Sequence, residues 1–316
     1  MQHQPYTTWK VVALAGGVGG AKLADGLAQV IPAEHLTVIV NVGDDFEHLG
    51  LKICPDLDTV CYTLAGIANP ETGWGRADES WNALSALKEL GGPVWFRLGD
   101  RDLALHLART ERLRQGATLS QVTAELCHTW GVQARVLPAT DEPVPTMLLT
   151  EAGELAFQEY FVRQRCQPMV KGFRFAGVEQ AQPAPGVMEA LQQADVVVLC
   201  PSNPWVSLDP ILAVPGMRQA MRTRRVIGVS PIVGGQTVKG PAAKMFAEQG
   251  IQPSARAVAE HYAGLLTGLV IDGQDQDQAE AIQAMGILPY VSDTLMKTRS
   301  DRRRLAIEVL ELSKYL

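Results

Sequence analysis

The chain has 316 residues, of which 47% are hydrophobic and 20% charged, a composition typical of a globular protein that buries a full core. Its net charge of −6 argues against nucleic acid as a partner, because binding to a phosphate backbone needs a basic face. The five cysteines include no C-x-x-C pair, so they favour neither a disulfide framework nor a zinc site. No apolar run approaches the roughly 20 residues of a membrane span, and we expect a cytoplasmic protein with no membrane partner.

Four short runs of β-branched and other apolar residues predict strands that are buried on both faces of a parallel sheet. They are VVALA at 11–15, LTVIVNV at 36–42, DVVVLC at 195–200 and RVIGVS at 225–230. Apolar residues at helical spacing predict helices at 21–30, 80–90, 101–114, 118–130, 241–249 and 255–267. The alternation indicates an α/β fold, a single Rossmann-like domain over 1–316 with a mostly parallel sheet. Ligands of such sheets bind beyond the carboxyl ends of the strands.

Two segments depart from this alternation. Residues 55–135 indicate a helical insertion, and four of the six tryptophans fall within it: Trp74, Trp81, Trp95 and Trp130. This concentration suits a flat aromatic ligand, or equally the small core that a helical subdomain needs. Alternating stretches in 136–175, interrupted by EAGE, predict a β-hairpin extension.

A glycine cluster follows the first predicted strand: Gly16, Gly17, Gly19 and Gly20, with Lys22 shortly after them. Glycines at the start of a helix let the backbone approach a phosphate group, towards which the first N–H groups of the helix point. The cluster fits neither the P-loop nor the dinucleotide pattern G-x-G-x-x-G, because Lys22 stands in place of the third glycine. It predicts an anion-binding turn of another kind and argues against an NAD-dependent dehydrogenase. The alternative is that the glycines only form a tight turn between strand and helix.

Carboxylates follow the second predicted strand in the stretch NVGDDFEHLGLKICPDLDT. Asp44 and Asp45 come directly after the strand, and Asp56 and Asp58 follow a proline, so we expect the two pairs to converge. Carboxylate oxygens suit Mg²⁺, which proteins commonly hold with one or two carboxylates plus phosphate oxygens of the substrate. We therefore predict a magnesium site formed by Asp44, Asp45 and Asp56. The alternative role for Asp56 or Asp58 is to cap the helix that follows.

Three further polar segments are candidate ligand contacts. RLGDRD places Arg97 and Asp100 before a helix, and an arginine fork matches phosphate or planar carbonyl groups. An Asp–Arg network that caps the helix explains the same motif. PSNP and SPIVGG follow the third and fourth predicted strands, and their candidate nucleotide contacts are Ser202, Asn203, Ser230 and Gly234.

In their order over nearly the whole chain, several of these motifs resemble the 2-phospho-L-lactate transferase family of coenzyme F420 biosynthesis. The motifs are GGVGGAKL, VNVGDDFEHLGLKICPDLDTVCYTLAG, LGDRDLALHL, PSNPWVSLDP and SPIVGG. The resemblance implies a magnesium-dependent transferase that moves a phosphate-bearing three-carbon acid from its guanosine diphosphate conjugate to the deazaflavin FO. GMP leaves, and F420-0 or its dehydro form results. Phosphoenolpyruvate, 2-phospholactate and 3-phosphoglycerate all stay open as the acid, because they differ too little for motifs to distinguish them.

The resemblance also implies roles for residues and partners. Asp58 and Arg97 match FO contacts of the family, with Asp58 orienting the FO hydroxyl, and Asp44 matches a magnesium ligand that takes part in catalysis. The insertion, with Trp74 and Asp100, would form the FO side of the cleft, and the glycine cluster, Lys22 and the PSNP and SPIVGG loops the nucleotide side. Implied partners are a second copy in a homodimer and, in the pathway, a guanylyltransferase and a glutamate ligase. The alternative function is a non-catalytic regulator of related fold that binds a nucleotide or sugar nucleotide.

Overall fold

The computed structural model describes residues 5–151 and 153–316 of the chain. The strands within them are β1 (Val11–Ala15), β2 (Leu36–Val40), β3 (Phe46–His48), β4 (Leu51–Ile53), β5 (Arg135–Pro138), β6 (Thr146–Thr150), β7 (Gly153–Ala156), β8 (Val170–Phe175), β9 (Val196–Leu199), β10 (Arg225–Val229), β11 (Ile232–Val233), β12 (Gln236–Thr237), β13 (Gly268–Asp272) and β14 (Leu288–Ser292). The helices are α1 (Gly17–Ala28), α2 (Pro55–Leu64), α3 (Asn82–Glu89), α4 (Asp100–Arg114), α5 (Leu119–Thr129), α6 (Val187–Gln193), α7 (Asp209–Ala213), α8 (Met217–Met221), α9 (Ala242–Glu248), α10 (Ala255–His261), α11 (Ala279–Gln283) and α12 (Arg299–Leu312).

Seven strands form a parallel sheet in the order β14-β13-β10-β9-β1-β2-β5. Strand β1 lies at the point where the chain order reverses: Val11 is in register with Leu36 of β2 on one side and with Val196 of β9 on the other. A crevice therefore opens between the carboxyl ends of β1 and β9, where open α/β sheets bind their ligands. The α/β, Rossmann-like sheet predicted from the sequence is confirmed.

Helices cover both faces of the sheet, which explains why every residue of β1 is apolar and buried. Successive side chains of a strand point to opposite faces. Val11 and Ala13 pack in the layer that contains α1, α2 and α12, whereas Val12 and Leu14 pack in the layer that contains α6 to α11. No helix in the described residues is long and apolar enough to cross a membrane.

Helix α1 packs closely against α12, which lies near the other end of the chain. Gly26 permits this approach, since a Cβ there would lie 2.1 Å from the backbone oxygen of Arg302. The neighbouring Asp25 is buried and accepts hydrogen bonds from Arg299 at 3.2 Å and from Arg302 at 3.1 Å. Close packing and two ion pairs therefore join these helices.

The predicted strands and helices are present, but some of their boundaries differ and the main sheet has more strands than predicted. The four predicted strands and six predicted helices each coincide with an observed element, although α10 ends at His261 and not at residue 267. Three strands of the main sheet were not predicted, namely β5, β13 and β14.

Residues 136–175 hold a three-stranded antiparallel sheet, in the order β7-β6-β8, where the sequence predicts a hairpin extension. The first residues of that range, 136–138, belong to β5 and pair with β2 at the edge of the main sheet. The extension therefore begins at β6. Residues 55–135 hold α2 to α5, and the first of these helices packs on the main sheet beside α1.

Candidate active site

Polar side chains meet where the chain leaves β1, β2 and β9. Gly16 follows β1, Asn41 follows β2, and Ser202 lies in the loop after β9. Oγ of Ser202 accepts a hydrogen bond from the N–H of Gly16 at 3.2 Å and donates one to its carbonyl oxygen at 2.7 Å. These bonds join the two loops on either side of the crevice, and α2 begins beside them.

Two buried carboxylates share one amide group at this place. Nδ2 of Asn41 donates to Oδ1 of Asp44 at 3.0 Å and to Oδ2 of Asp56 at 2.9 Å. The other oxygen of Asp44 accepts from Gln158 at 3.0 Å, and the other oxygen of Asp56 accepts from the N–H of Gly17 at 2.7 Å. All of these donors are neutral. We call Asp44 and Asp56 the acid pair.

Burial and repulsion between carboxylates raise the pKa values of the acid pair. Burial is the largest cause for Asp44, and the charges of Asp56 and Asp45 raise its pKa further, to well above the usual range. Burial also raises the pKa of Asp56 to about 6, against hydrogen bonds from Asn41 and Gly17 that lower it. Buried carboxylates with neutral donors lack positive charge, which a hard cation would supply. The acid pair therefore fits Mg²⁺, which completes its shell with phosphate oxygens or water.

Asp45, the third predicted magnesium ligand, has a cationic partner of its own. Its Oδ2 lies 3.1 Å from Nζ of Lys52 in β4. Burial raises the pKa of Asp45, and the charge of Lys52 lowers it. In residues 5–151 and 153–316, no three His, Cys, Asp or Glu side chains converge as a complete metal cage. The structure thus brings together two of the three predicted ligands and directs Asp45 to Lys52.

The glycine cluster is confined by the segments around it. A Cβ at Gly16 would lie 2.6 Å from the Asp56 carboxylate, and one at Gly19 would lie 2.3 Å from a carbonyl oxygen of the loop after β9. Gly20 is confined in the same way, with a side-chain oxygen of that loop at 2.6 Å. Gly17 has a φ of 63°, in the left-handed region, which favours glycine. The cluster therefore brings α1 close to the acid pair and to the loop after β9.

Asp58 is bound on both carboxylate oxygens by Arg109, a residue of α4. NH1 of Arg109 donates to Oδ2 at 3.1 Å, and NH2 contacts Oδ1. His106 places Nδ1 3.8 Å from the same carboxylate. Burial lowers the pKa of His106 to about 4, so this imidazole is neutral at pH 7. Arg109 therefore supplies the positive charge that balances Asp58.

The insertion presents aromatic rings and Arg97. The Arg97 guanidinium stacks on Trp81, 4.5 Å from the ring centroid, and Trp74 is 48% exposed in the loop before α3. Asp100 accepts hydrogen bonds from the first two backbone N–H groups of α3, at 3.1 and 3.0 Å. A hydrogen bond from Ser80, together with these N–H groups, lowers the pKa of Asp100 to about 2. Asp100 therefore caps a helix, as the alternative interpretation of this motif predicts. The helix that it caps is α3, whereas Asp100 itself lies in α4.

The remaining predicted nucleotide contacts make hydrogen bonds within the protein. The bonds are Lys22 Nζ to the carbonyl oxygen of Met296 (2.8 Å), the Trp205 N–H to Oδ1 of Asn203 (3.1 Å), Ser230 Oγ to the carbonyl oxygen of Ile232 (2.9 Å) and the Gly234 N–H to Asp275 (3.1 Å). These residues therefore fix the loops at the carboxyl edge of the sheet.

Sequence patterns do not single out Asn41, Gln158 or Arg109. Asn41 stands within NVGDD but is neither acidic nor a glycine. Arg109 follows Leu105 by one turn on the buried face of α4. A charged residue on a buried face indicates a paired charge, and this was the one signal in the sequence that pointed to Arg109. Gln158 gives no signal, because only the fold brings it to Asp44, 114 residues away in the chain.

Comparison with known proteins gives matches along nearly the whole chain. The family model described as 2-phospho-L-lactate transferase CofD matches residues 11–311. The phosphoenolpyruvate transferase of Streptomyces coelicolor is 46% identical over 313 residues, which cover 96% of this chain and 98% of that protein. The protein of the same name from Mycolicibacterium smegmatis is 41% identical, over 90% of this chain and 94% of its own.

Solved structures resemble the chain in fold. A member of the UPF0052 family from Bacillus halodurans is 18% identical, with a TM-score of 0.62 over 95% of this chain and 99% of that one. At this identity the likeness supports the α/β architecture alone. The family match and the identities above 40% go further, and they show that the chain belongs to the 2-phospho-L-lactate transferase family.

Proposed function

We propose that the chain transfers phosphoenolpyruvate, or a closely related phosphate-bearing three-carbon acid, from its guanosine diphosphate conjugate to the deazaflavin FO. GMP leaves, and dehydro-F420-0 or F420-0 is the product. The similarity to proteins named phosphoenolpyruvate transferase carries this proposal, and it favours phosphoenolpyruvate over 2-phospholactate and 3-phosphoglycerate. The acid pair beside the glycine cluster supports it, because a diphosphate donor brings negative charge that a cation must balance.

The acid pair is the proposed magnesium site. Asp44 and Asp56 would hold Mg²⁺, which when bound supplies positive charge to the phosphate oxygens of the donor. Asn41 fixes the spacing of the two carboxylates by bonding both. Through its N–H, Gly17 donates a hydrogen bond to Asp56, so the acid pair is bonded directly to the glycine cluster at the start of α1.

FO would bind along the insertion. Asp58 would accept a hydrogen bond from the FO primary hydroxyl and so direct that oxygen at the phosphorus, since alignment is the main task when the donor is already activated. The stacked Arg97 and Trp81, with the exposed Trp74, offer flat surfaces to the tricyclic ring. In this assignment Asp100 supports the FO side by capping α3.

The experiment supplies purified protein with FO, Mg²⁺ and a guanylyltransferase that makes the donor from GTP and the three-carbon acid. We expect a new, more acidic deazaflavin and GMP by mass spectrometry, both abolished by EDTA. Asp44→Asn should give no product, whereas Asp277→Asn, an exposed carboxyl, should match the wild type. Competition among the three acids would identify the donor.

A different result would favour the regulator. Absence of a new deazaflavin, while a known transferase is active under the same conditions, contradicts the proposed reaction. Binding of GDP or GMP without binding of FO would then support a nucleotide-binding regulator of related fold.

We also propose a cytoplasmic location, between a guanylyltransferase that supplies the donor and a glutamate ligase that extends the product. The cysteine content supports this location, because the five cysteines include no C-x-x-C pair and favour no disulfide framework.

A further inference from the structure

The proposed function gives Asp58 a task but leaves Arg109, the buried residue that binds it, without one. We propose that Arg109 is a positioning residue, whose guanidinium fixes the plane of the Asp58 carboxylate so that this carboxylate can align the acceptor hydroxyl. The inference rests on the proposed function and deepens it.

The contact has the two-point geometry of a guanidinium–carboxylate fork. NH1 of Arg109 donates to Oδ2 of Asp58 at 3.1 Å while NH2 contacts Oδ1. A fork fixes both the position and the plane of a carboxylate, whereas a lysine ammonium makes a point contact. Each carboxylate oxygen can accept more than one hydrogen bond, so the fork leaves acceptor capacity for a substrate hydroxyl.

The guanidinium is itself held from two sides. NH1 of Arg109 donates to the carbonyl oxygen of Lys52 in β4 at 3.4 Å and lies 3.4 Å from Nδ1 of His106, one turn earlier in α4. Asp58, in contrast, lies in the first turn of α2. Arg109 therefore couples three elements and leaves the carboxylate little freedom to rotate.

The position of Asp58 in α2 links this fork to the acid pair. Asp58 follows Asp56 by two residues, and both are buried in the first turn of the helix. A rotation of the Asp58 carboxylate would change where a bound hydroxyl points relative to the donor phosphate at the acid pair. Small errors in such alignment cost large factors in rate.

Helix α4, which contains Arg109, also offers a matched control. Arg112 also makes a two-point contact with a carboxylate, from Nε and NH2 to Glu125 at 3.0 and 2.6 Å, but on the exposed surface. Arg109→Lys keeps the positive charge and removes the fork beside the site, and Arg112→Lys does the same at the surface. Comparison of the two variants separates orientation of Asp58 from charge balance.

A double-mutant cycle tests the proposal through the conversion of FO at saturating donor. We expect Asp58→Asn to lower kcat by roughly 10²-fold or more, in the range of a positioned acid or base. Arg109→Lys should lower kcat by at least about tenfold and leave the KM of the donor unchanged. Because Arg109 acts through Asp58, the double variant should be no slower than Asp58→Asn alone. Arg112→Lys should keep the wild-type kcat, and thermal melting should show that every variant is folded.

Other outcomes overturn the proposal in distinguishable ways. A wild-type kcat in Arg109→Lys, or a loss in the double variant that multiplies the two single losses, overturns the role of Arg109 and leaves the transferase intact. No turnover by the wild-type protein overturns both. If Arg109→Lys does not fold, Arg109→Gln replaces it in the cycle. If neither variant folds, Arg109 serves folding alone and the proposal is overturned.

Discussion

Asn41 joins the two members of the acid pair, because its one amide group donates a hydrogen bond to each carboxylate. A carboxyl whose pKa is raised by folding weakens the folded state as pH rises, since the folded protein ionises it at a higher cost than the unfolded chain does. For Asp56 this loss begins near the ordinary pKa of 3.8 and is complete above about 6. The free energy of unfolding therefore falls as the pH rises through this range.

We expect Asp44→Asn to raise the melting temperature at pH 8 in the presence of EDTA, because the variant removes a buried carboxyl whose ionisation is disfavoured by burial and by the charges of Asp56 and Asp45. Gln158 can rotate its amide to accept a hydrogen bond from the new side chain, so that contact survives. Calorimetry at pH 5 and pH 8 should show a larger fall in Tm for the wild type than for the variant.

Magnesium supplies the second arm of this experiment. At pH 8, Mg²⁺ should raise the Tm of the wild type and leave that of Asp44→Asn almost unchanged, since binding to the folded state alone stabilises a protein. Asp277→Asn, an exposed carboxyl, should behave as the wild type does. Equal pH dependence in Asp44→Asn and wild type would contradict the assigned repulsion.

Among the secondary-structure elements, the predictable strands are those buried on both faces. The runs in β1, β2, β9 and β10 are nearly continuous in apolar residues, which is typical of central parallel strands. The edge strands gave weaker patterns: β5 begins with an arginine and ends with a proline, and β14 is only partly buried. The central β13 is apolar and buried, but it directly follows the stretch that was assigned to a helix up to residue 267.

The site was predictable to the same degree. Asp44 and the glycine cluster follow β2 and β1, whose carboxyl ends share one edge of the main sheet, so their meeting follows from the fold. Asp56 lies at the start of α2, after the separate β3-β4 hairpin, and its place beside Asp44 depends on how that hairpin returns the chain. The bonds of Asp58 and Asp100 were not predictable, because they depend on which faces of α2, α3 and α4 meet. Periodicity gives the buried face of a helix but not its neighbour.

Helix α1 offers a test of packing between elements. Gly26→Ala adds a methyl group 2.1 Å from the backbone oxygen of Arg302, which the helices can relieve only by moving apart. The strain should exceed the gain in helix propensity and lower the free energy of unfolding by at least about 2 kcal/mol, or Tm by roughly 3 °C. Gly273→Ala, where no atom lies within 4 Å, is the control. A Tm equal to that of the control would show that α12 adapts without strain.

For the whole molecule we expect a homodimer, as the family resemblance implies. Three exposed apolar side chains, Leu149, Phe161 and Met169, lie in or next to the three-stranded sheet and suit a contact between copies. Light scattering should give twice the 34.2 kDa of one chain. Leu149→Glu should shift the mass towards the monomer, whereas Leu90→Glu, at a more exposed leucine in the insertion, should not. A wild-type monomer at micromolar concentration would contradict this prediction.

Because α1 packs against α12, the packing of α1 cannot be complete until α12 has been synthesised. The residues that cover one face of α1, 299–312, are made about 270 residues after α1 itself. At 5–20 residues per second, the nascent chain waits roughly 15–55 s for them. During that interval the apolar surface around Leu27 has no cover from the chain's last helix. A chaperone that holds nascent chains would therefore find one face of α1 uncovered until residues 299–312 have been made.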